Sequence, residues 1–215
     1  MALHVDSRDW TLRTTHNRDE MLALADEEGI RAARASYPSG WLFLTRDPST
    51  RELVRLAAAT GGEWQVEDLA HELDRDLEDV ERSLEDLVAL RVFREDDETY
   101  RPNSESVVAN AVGQLRSAAD ERGASDGFRD LTQPEAVRLL LDALLAVDET
   151  EEFTQDDLHE RVGLSRKSVW MHVDPLEELG VLTDSGSGYK INESSSVFAH
   201  IRALNAAVLG TALSP

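Results

Sequence analysis

Side chains suited to contacting nucleic acid are concentrated in residues 165–173, a segment that contains no aspartate or glutamate. It offers six such side chains, namely Ser165, Arg166, Lys167, Ser168, Trp170 and Met171. Arginine and lysine donate hydrogen bonds to guanine edges or phosphates, serine bonds to either, and apolar groups contact the thymine methyl. The segment therefore predicts a surface that reads double-stranded DNA, and Lys190 adds a further cation nearby in the sequence.

The overall charge opposes such contact, because the chain of 215 residues has a formal net charge of -21. Only Lys167 and Lys190 of its 22 basic residues are lysine. An acidic, lysine-poor composition is typical of extreme halophiles, in which ~1 M salt shortens the Debye length to about 3 Å and screens repulsion. The alternative is an acidic protein that docks on basic partners or mimics nucleic acid. The charge is also uneven, since residues 1–60 carry a net charge of only -1 and form a second candidate surface.

The chain repeats its pattern at an offset of 89 residues. The apolar positions of residues 69–92 recur in residues 158–181 without a gap, and Tyr100 recurs as Tyr189. Matching polar and aromatic positions beyond the apolar pattern favour a true structural duplication.

In the second copy, the capping residues predict three helices and a hairpin. Thr132 with Glu135 predicts a capping box, Gly163 predicts the end of the second helix, and Ser165 predicts the start of the third. Pro175 lies inside that third helix and predicts a kink or a locally wide turn. Residues 184–188 predict the turn of a hairpin, and an amphipathic helix follows it.

In the first copy, Asp47 and Asp76 predict the starts of the corresponding first and third helices. The outer face of that third helix is mostly acidic and consists of Glu78, Asp79, Glu81, Arg82 and Glu85. The hairpin tip at residues 95–98 contains only acids, so we expect this copy to avoid DNA.

The predicted fold class is mainly α with small β-hairpin wings. It comprises two tandem winged helix-turn-helix domains, each followed by an amphipathic helix. The N-terminal extension is expected to contain a helix that Asn17 and Glu20 cap, and a short strand or buried loop at residues 41–44. The predicted boundaries are 1–46 for the extension, 47–122 for the first domain, 123–130 for a linker and 131–215 for the second domain.

Several functional classes are disfavoured by what the sequence lacks. There is no cysteine, which excludes disulfides and cysteine-ligated zinc. His159 and His172 are too isolated to predict a metal site, and there is no glycine-rich phosphate loop, so we expect neither an enzyme nor a cofactor. No apolar run reaches the roughly 20 residues of a membrane span, and no signal peptide is visible, so we expect a cytoplasmic protein.

The patterns Leu-Ser-Arg-x-x-Val at residues 164–169 and Leu-x-x-Leu-Gly-Val at residues 176–181 carry a resemblance. They resemble archaeal winged helix-turn-helix regulators of the broad group that includes the MarR, ArsR and TrmB families. With its acidic background, the chain is similar to a haloarchaeal member. The resemblance implies a transcription regulator that places its third helix in the major groove and its wing on the backbone, and this expectation transfers only to the six residues above and Lys190.

The resemblance also implies a homodimer, which we expect to form through the amphipathic helices. Tandem winged-helix subunits of chromosome-condensing complexes are likewise acidic and use the fold for protein contact. The alternative function is therefore a protein-interaction scaffold without specific DNA binding. A regulator that responds to a small molecule is a third possibility, for which the sequence offers no pocket signature.

Overall fold

The computed structural model describes residues 11–59, 61–123, 126–148 and 150–213. It is mainly helical and has two small three-stranded antiparallel sheets. The helices of this part are α1 Arg18–Glu28, α2 Ile30–Ser36, α3 Gly40–Thr45, α4 Pro48–Ala59, α5 Val66–Leu73, α6 Leu77–Ala89, α7 Val107–Asp120, α8 Gly127–Thr132, α9 Glu135–Leu144, α10 Gln155–Val162, α11 Arg166–Glu178 and α12 Ser196–Ala212. The strands are β1 Trp64–Gln65, β2 Phe93–Asp96, β3 Thr99–Pro102, β4 Glu152–Phe153, β5 Leu182–Asp184 and β6 Tyr189–Ile191.

The order of elements is repeated along the chain. The series α4, β1, α5, α6, β2, β3, α7 returns as α9, β4, α10, α11, β5, β6, α12. The strand orders β1-β3-β2 and β4-β6-β5 also match, and Trp64 pairs with Tyr100 as Phe153 pairs with Tyr189. The predicted mainly α fold with small β hairpins is confirmed.

The N-terminal segment differs from the prediction, because residues 40–45 form the helix α3 rather than a strand or a loop. Ser39 caps this helix by accepting a hydrogen bond from the Leu42 amide at 3.1 Å. All six residues of α3 are buried, among them Trp41 and Phe43 with no exposed surface. So short a helix leaves most of its backbone groups without partners inside the helix. Side chains bind several of them, since Asn205 accepts from the Trp41 amide, Arg46 donates to the Phe43 carbonyl and Arg51 donates to the Thr45 carbonyl. The helix can therefore be buried on every side, and it lacks the pattern that reveals an amphipathic element.

The predicted linker at 123–130 is wrong over its second half, where Gly127–Thr132 forms α8. Phe128 and Leu131 of this helix are buried in the common core. The predicted capping box is also wrong, because Thr132 belongs to α8 and donates its hydroxyl to the Phe128 carbonyl at 2.7 Å. Helix α9 instead follows Pro134, which provides no side-chain cap.

The two amphipathic helices that follow the hairpins, α7 and α12, pack against each other within the chain. Helix α3 also packs on α12, where a Cβ at Gly40 would lie 2.7 Å from the Asn205 carbonyl oxygen. A single hydrophobic cluster therefore runs through both halves. The homodimer was predicted to form through the apolar faces of α7 and α12, and these faces are covered within one chain. A homodimer would therefore have to use surface that the two helices leave exposed.

Asp142 of α9 is completely buried and is paired with two arginines from the N-terminal segment. Arg13 lies 2.5 Å from its Oδ1, and Arg34 of α2 binds its Oδ2. Burial lowers the pKa of Arg13 and of Arg34 to about 10, and Arg13 further lowers that of Arg34. Both remain charged at neutral pH, so the buried carboxylate is compensated only while α2 keeps its place.

The same N-terminal segment is also bound to the first half. Arg46, just after α3, forms an ion pair with Asp86 of α6, a carboxylate whose side chain is 3 % exposed. Its guanidinium carbon also lies 3.9 Å from the centre of the Phe43 ring. The residues before α4 therefore hold the two halves together.

We expect Asp142→Asn to destabilise the fold by about 3–5 kcal/mol, because it leaves two arginines buried without a counter-charge. The measurement is urea unfolding of the full chain at constant salt. Glu135→Gln is the matched control, since it breaks an ion pair with Arg31 whose two side chains are 55% and 57% exposed. This control should cost less than about 1 kcal/mol. Equal losses in the two variants would contradict the structural role of Asp142.

Candidate nucleic-acid interface

Helix α11 is held by its inner face and by its first turn. Val169, Val173 and Leu176 are fully buried. Ser165 accepts a hydrogen bond from the Ser168 amide at 3.1 Å, as the predicted cap requires. Gly163 ends α10 in the left-handed conformation at a φ of 67°, which confirms the predicted turn. These contacts fix which face of α11 points outwards.

The outer face of α11 exposes two large apolar side chains. Trp170 is 59% exposed and Met171 is 54% exposed. Arg166 and Lys167 are exposed one turn earlier, beside the exposed cap Ser165. Of the six predicted residues on this segment, only Ser168 is partly covered. The structure therefore brings these six predicted side chains to the start of one helix.

Pro175 does not divide α11, which runs from Arg166 to Glu178 without a break. The predicted kink or locally wide turn stays a prediction, because a bent helix can also be continuous. Pro175 is exposed, so the carbonyl that loses its intrahelical hydrogen bond can be hydrated, which reduces the cost of a proline in this position.

The preceding helix α10 brings an acid to this surface. Asp156 of α10 lies 3.1 Å from Nε of Arg166, and both side chains are more than half exposed. Acids are common in the first turn of a helix because they interact favourably with its dipole. The segment 165–173 is free of acid in sequence, but in the fold one of its two cations has a carboxylate partner. The acidic first turn of α10 was the only signal for this contact.

Lys190 lies on a separate element, the strand β6, where its side chain is exposed. It faces Glu152 of β4 on one side and Thr183 of β5 on the other. Hydrogen bonds from Ser185 and Ser187 lower the pKa of Glu152, and the nearby charge of Lys190 lowers it further. The second hairpin is therefore less neutral than its loop sequence indicates, because Glu152 lies beside it.

The outer face of α6 is the corresponding surface of the first half. Among the residues of this face, the cation has carboxylate partners. Arg82 forms ion pairs with Glu78 at 2.8 Å and with Asp79 at 3.4 Å. The β2–β3 hairpin turns through Asp97 and Glu98, both in the left-handed region. The predicted acidity of this face is retained in the fold, whereas the outer face of α11 carries Arg166 and Lys167.

Helix α2 packs against the turn between α10 and α11, a contact that no sequence pattern indicated. A Cβ on Gly163 would lie 2.9 Å from Cγ2 of Ile30 and 3.0 Å from Cγ of Arg31. Arg34 also donates a hydrogen bond to the Arg161 carbonyl in the last turn of α10, at 2.9 Å. The N-terminal segment therefore helps to set the position of α11.

Comparisons with protein-family models, with curated proteins and with solved structures found no match to this chain. The resemblance to archaeal regulators consequently stays a prediction. In the described part of the chain, no group of three or more histidine, aspartate or glutamate side chains is arranged to hold a metal ion. His159 and His172 instead contact the backbone carbonyls of Leu164 and Ser168. Across the same residues, the helices are too short or too polar to cross a membrane.

We expect Gly163→Ala to destabilise the protein more than Gly186→Ala. Both glycines have positive φ, at 67° and 85°, so each substitution carries a backbone cost of about 1–2 kcal/mol. Only Gly163 also meets α2, whereas nothing lies within 4 Å of a Cβ at Gly186. The additional overpacking should cost about 1–3 kcal/mol, measured by urea unfolding. If the two variants unfolded at the same urea concentration, the contact between α2 and the turn would be unimportant.

Proposed function

We propose that each half of the chain is a winged helix-turn-helix unit and that the protein is a sequence-specific DNA-binding transcription regulator. Helix α11 enters the major groove, and the β5–β6 hairpin contacts the sugar-phosphate backbone as the wing. The repeated series of three helices and a three-stranded sheet supports the unit assignment. The exposed pair Trp170 and Met171 beside Arg166 and Lys167 carries the functional proposal.

Single exposed apolar side chains are normal in folded proteins, but contiguous ones mark contact sites, and Trp170 and Met171 are adjacent. On α11, Met171 lies opposite the fully buried Val169 and Val173, and Trp170 lies at the side of that buried face. The buried valines hold the helix in place, so the exposure of the two side chains is not a result of fraying. In a major groove, Met171 and Trp170 have apolar contacts available at thymine methyl groups, while Lys167 donates to a guanine edge or a phosphate. The mixture of apolar and cationic groups on the exposed side of this helix supports base reading.

The ion pair of Arg166 with Asp156 does not prevent phosphate binding. Both side chains are exposed, and exposed ion pairs contribute only about 0–1 kcal/mol. A phosphate oxygen can therefore replace Asp156 as the partner of the guanidinium at little cost. The composition supports a halophilic source, in which molar salt screens the remaining carboxylates.

One chain supplies a single reading helix under this proposal, because the acidic face of α6 repels phosphate. A symmetric dimer would place two copies of α11 about 34–36 Å apart on a pseudo-palindromic site. Since α7 and α12 bury their apolar faces against each other, such a dimer needs surface outside those faces.

A protein-interaction scaffold is the second candidate. The observation that favours it is the same exposed pair, Trp170 and Met171, because aromatic residues and methionine are enriched at protein interfaces. Under this alternative, no preferred site would appear in genome-wide occupancy maps, and a stable partner would be lost in a Trp170→Ala variant.

The proposal is tested with the double variant Arg166→Glu and Lys167→Glu. Genome-wide occupancy mapping in native salt first defines a site, and fluorescence anisotropy at the same salt then measures affinity for it. We expect at least a thirty-fold loss of affinity, since each contact is worth about 1–3 kcal/mol.

The matched control is Arg94→Glu with Arg101→Glu on the first hairpin. It changes the net charge by the same amount at two arginines that are 52% and 50% exposed. This control should retain affinity within about three-fold, because its charges lie outside the proposed interface and are largely screened. Intact binding by the α11 variant, or equal losses in both variants, would overturn the proposal.

A further inference from the structure

A cavity of about 320 Å³ lies where α2, α3 and α9 meet. Four of its lining residues are arginines, namely Arg31, Arg34, Arg46 and Arg138. The remaining wall is mostly apolar and includes Pro38, Leu42 and Leu139, all of them buried. Such a combination of apolar wall and converging charged groups is typical of small-molecule sites. Three of the four arginines are paired with carboxylates, since Arg31 binds Glu135, Arg34 binds Asp142 and Arg46 binds Asp86.

The charge of Arg138 lacks a carboxylate partner. Its Nη1 donates to the backbone carbonyls of Thr132 at 2.6 Å and Gln133 at 3.0 Å. Within the part of the chain that the structure describes, no carboxylate lies within ion-pair distance of this guanidinium. Burial lowers the pKa of Arg138 to about 10, and Arg51 lowers it further, while the more distant carboxylates of Glu135 and Asp47 act in the opposite direction. The charge therefore persists at neutral pH without a direct ion pair.

Arg34 supplies an unsatisfied donor at the same cavity. Its side chain is 6% exposed, and its two terminal nitrogens are bound to Asp142 and to the Arg161 carbonyl. Its Nε is buried and has no hydrogen-bond partner among the described residues. A buried donor without a partner destabilises the protein, and a shift of the Arg34 side chain that exposed Nε to an acceptor on a ligand would remove this cost.

We infer that this cavity binds a small organic carboxylate, with its charged end on Arg138 and Arg34 and its apolar body against Pro38, Leu42 and Leu139. The planar guanidinium fork matches a carboxylate. An inorganic anion would leave the apolar wall unused, and a neutral ligand would leave the charge of Arg138 uncompensated. Glu135 is the carboxylate among the lining residues, and it is already bound to Arg31 at a distance of 2.6 Å, at the exposed edge of the cavity.

Occupancy of the cavity is coupled to α11 through α2. Arg31 lines the cavity and also contacts Gly163 in the turn before α11. Arg34 lines it as well and holds the Arg161 carbonyl at the end of α10. A ligand that draws these two side chains towards the cavity therefore acts on the turn from which α11 starts. This coupling, unlike the binding site itself, rests on the proposed DNA-binding function.

Binding is measured by isothermal titration calorimetry on the full chain at constant KCl, with benzoate and hexanoate as probes. Benzamide is the neutral analogue of benzoate. We expect a dissociation constant near or below about 1 mM for at least one carboxylate, and at least ten-fold weaker binding of benzamide. If neither carboxylate bound, or if benzamide bound as well as benzoate, the inference would be wrong.

The site is located with Ala35→Phe, which fills the exposed edge of the cavity and removes no arginine. Ala23→Phe, at an exposed position of α1 outside the cavity lining, is the matched control. We expect Ala35→Phe to weaken carboxylate binding at least ten-fold and Ala23→Phe to leave it unchanged. Equal binding by both variants would place the carboxylate elsewhere and overturn the assignment.

The coupling is tested by repeating the DNA titration at saturating carboxylate. We expect at least a five-fold change in DNA affinity for the wild type and none for Ala35→Phe. An unchanged affinity in the wild type would overturn the coupling. If the chain binds a carboxylate but has no DNA site, the proposed function is rejected and the carboxylate site is retained. If the chain binds DNA but no carboxylate, only the carboxylate site is rejected.

Discussion

The ion pairs of Asp142 with Arg13 and Arg34 are the constraint from which the rest of the arrangement follows. A carboxylate with no exposed surface is tolerated only when cations accompany it into the interior. Because both cations come from the N-terminal segment, that segment cannot leave α9 without exposing an uncompensated charge. Helix α2 is thereby held against α10, and α3 is held between α9 and α12.

The two halves share one plan but differ in what surrounds them. On the second half, α2 covers the turn before α11 and leaves the outer face with Trp170 and Met171 open. On the first half, the outer face of α6 is acidic and its arginine is already paired with Glu78 and Asp79. Because the order of elements is the same in both halves, the halves differ in the charge of their outer faces and in the packing of the N-terminal extension against them.

Arginine has two distinct uses in this chain. Some guanidiniums are buried with carboxylates and join segments that are distant in sequence, as Arg34 does with Asp142 and Arg46 with Asp86. Others are exposed and stand beside acids on the surface, as Arg166 does with Asp156. Net charge alone cannot separate these uses, because it counts a buried arginine and an exposed one equally.

Local patterns in the sequence determined the elements whose apolar residues recur at helical spacing, together with the turn at Gly163 and the cap at Ser165. They also determined that Trp170 and Met171 are exposed, because Val169 and Val173 set the buried face. Such features depend on neighbours within one turn of helix.

Only the tertiary structure decided the rest, because it depends on residues far apart in the chain. Helix α3 is buried on all sides and so lacks an amphipathic signature, and α8 lies in what composition indicates is a linker. Asp156 reaches Arg166, and α2 reaches Gly163, through packing that no spacing encodes. The sequence by itself determined which helix faces outwards with apolar and basic groups, and the fold decided which other charges stand around that helix.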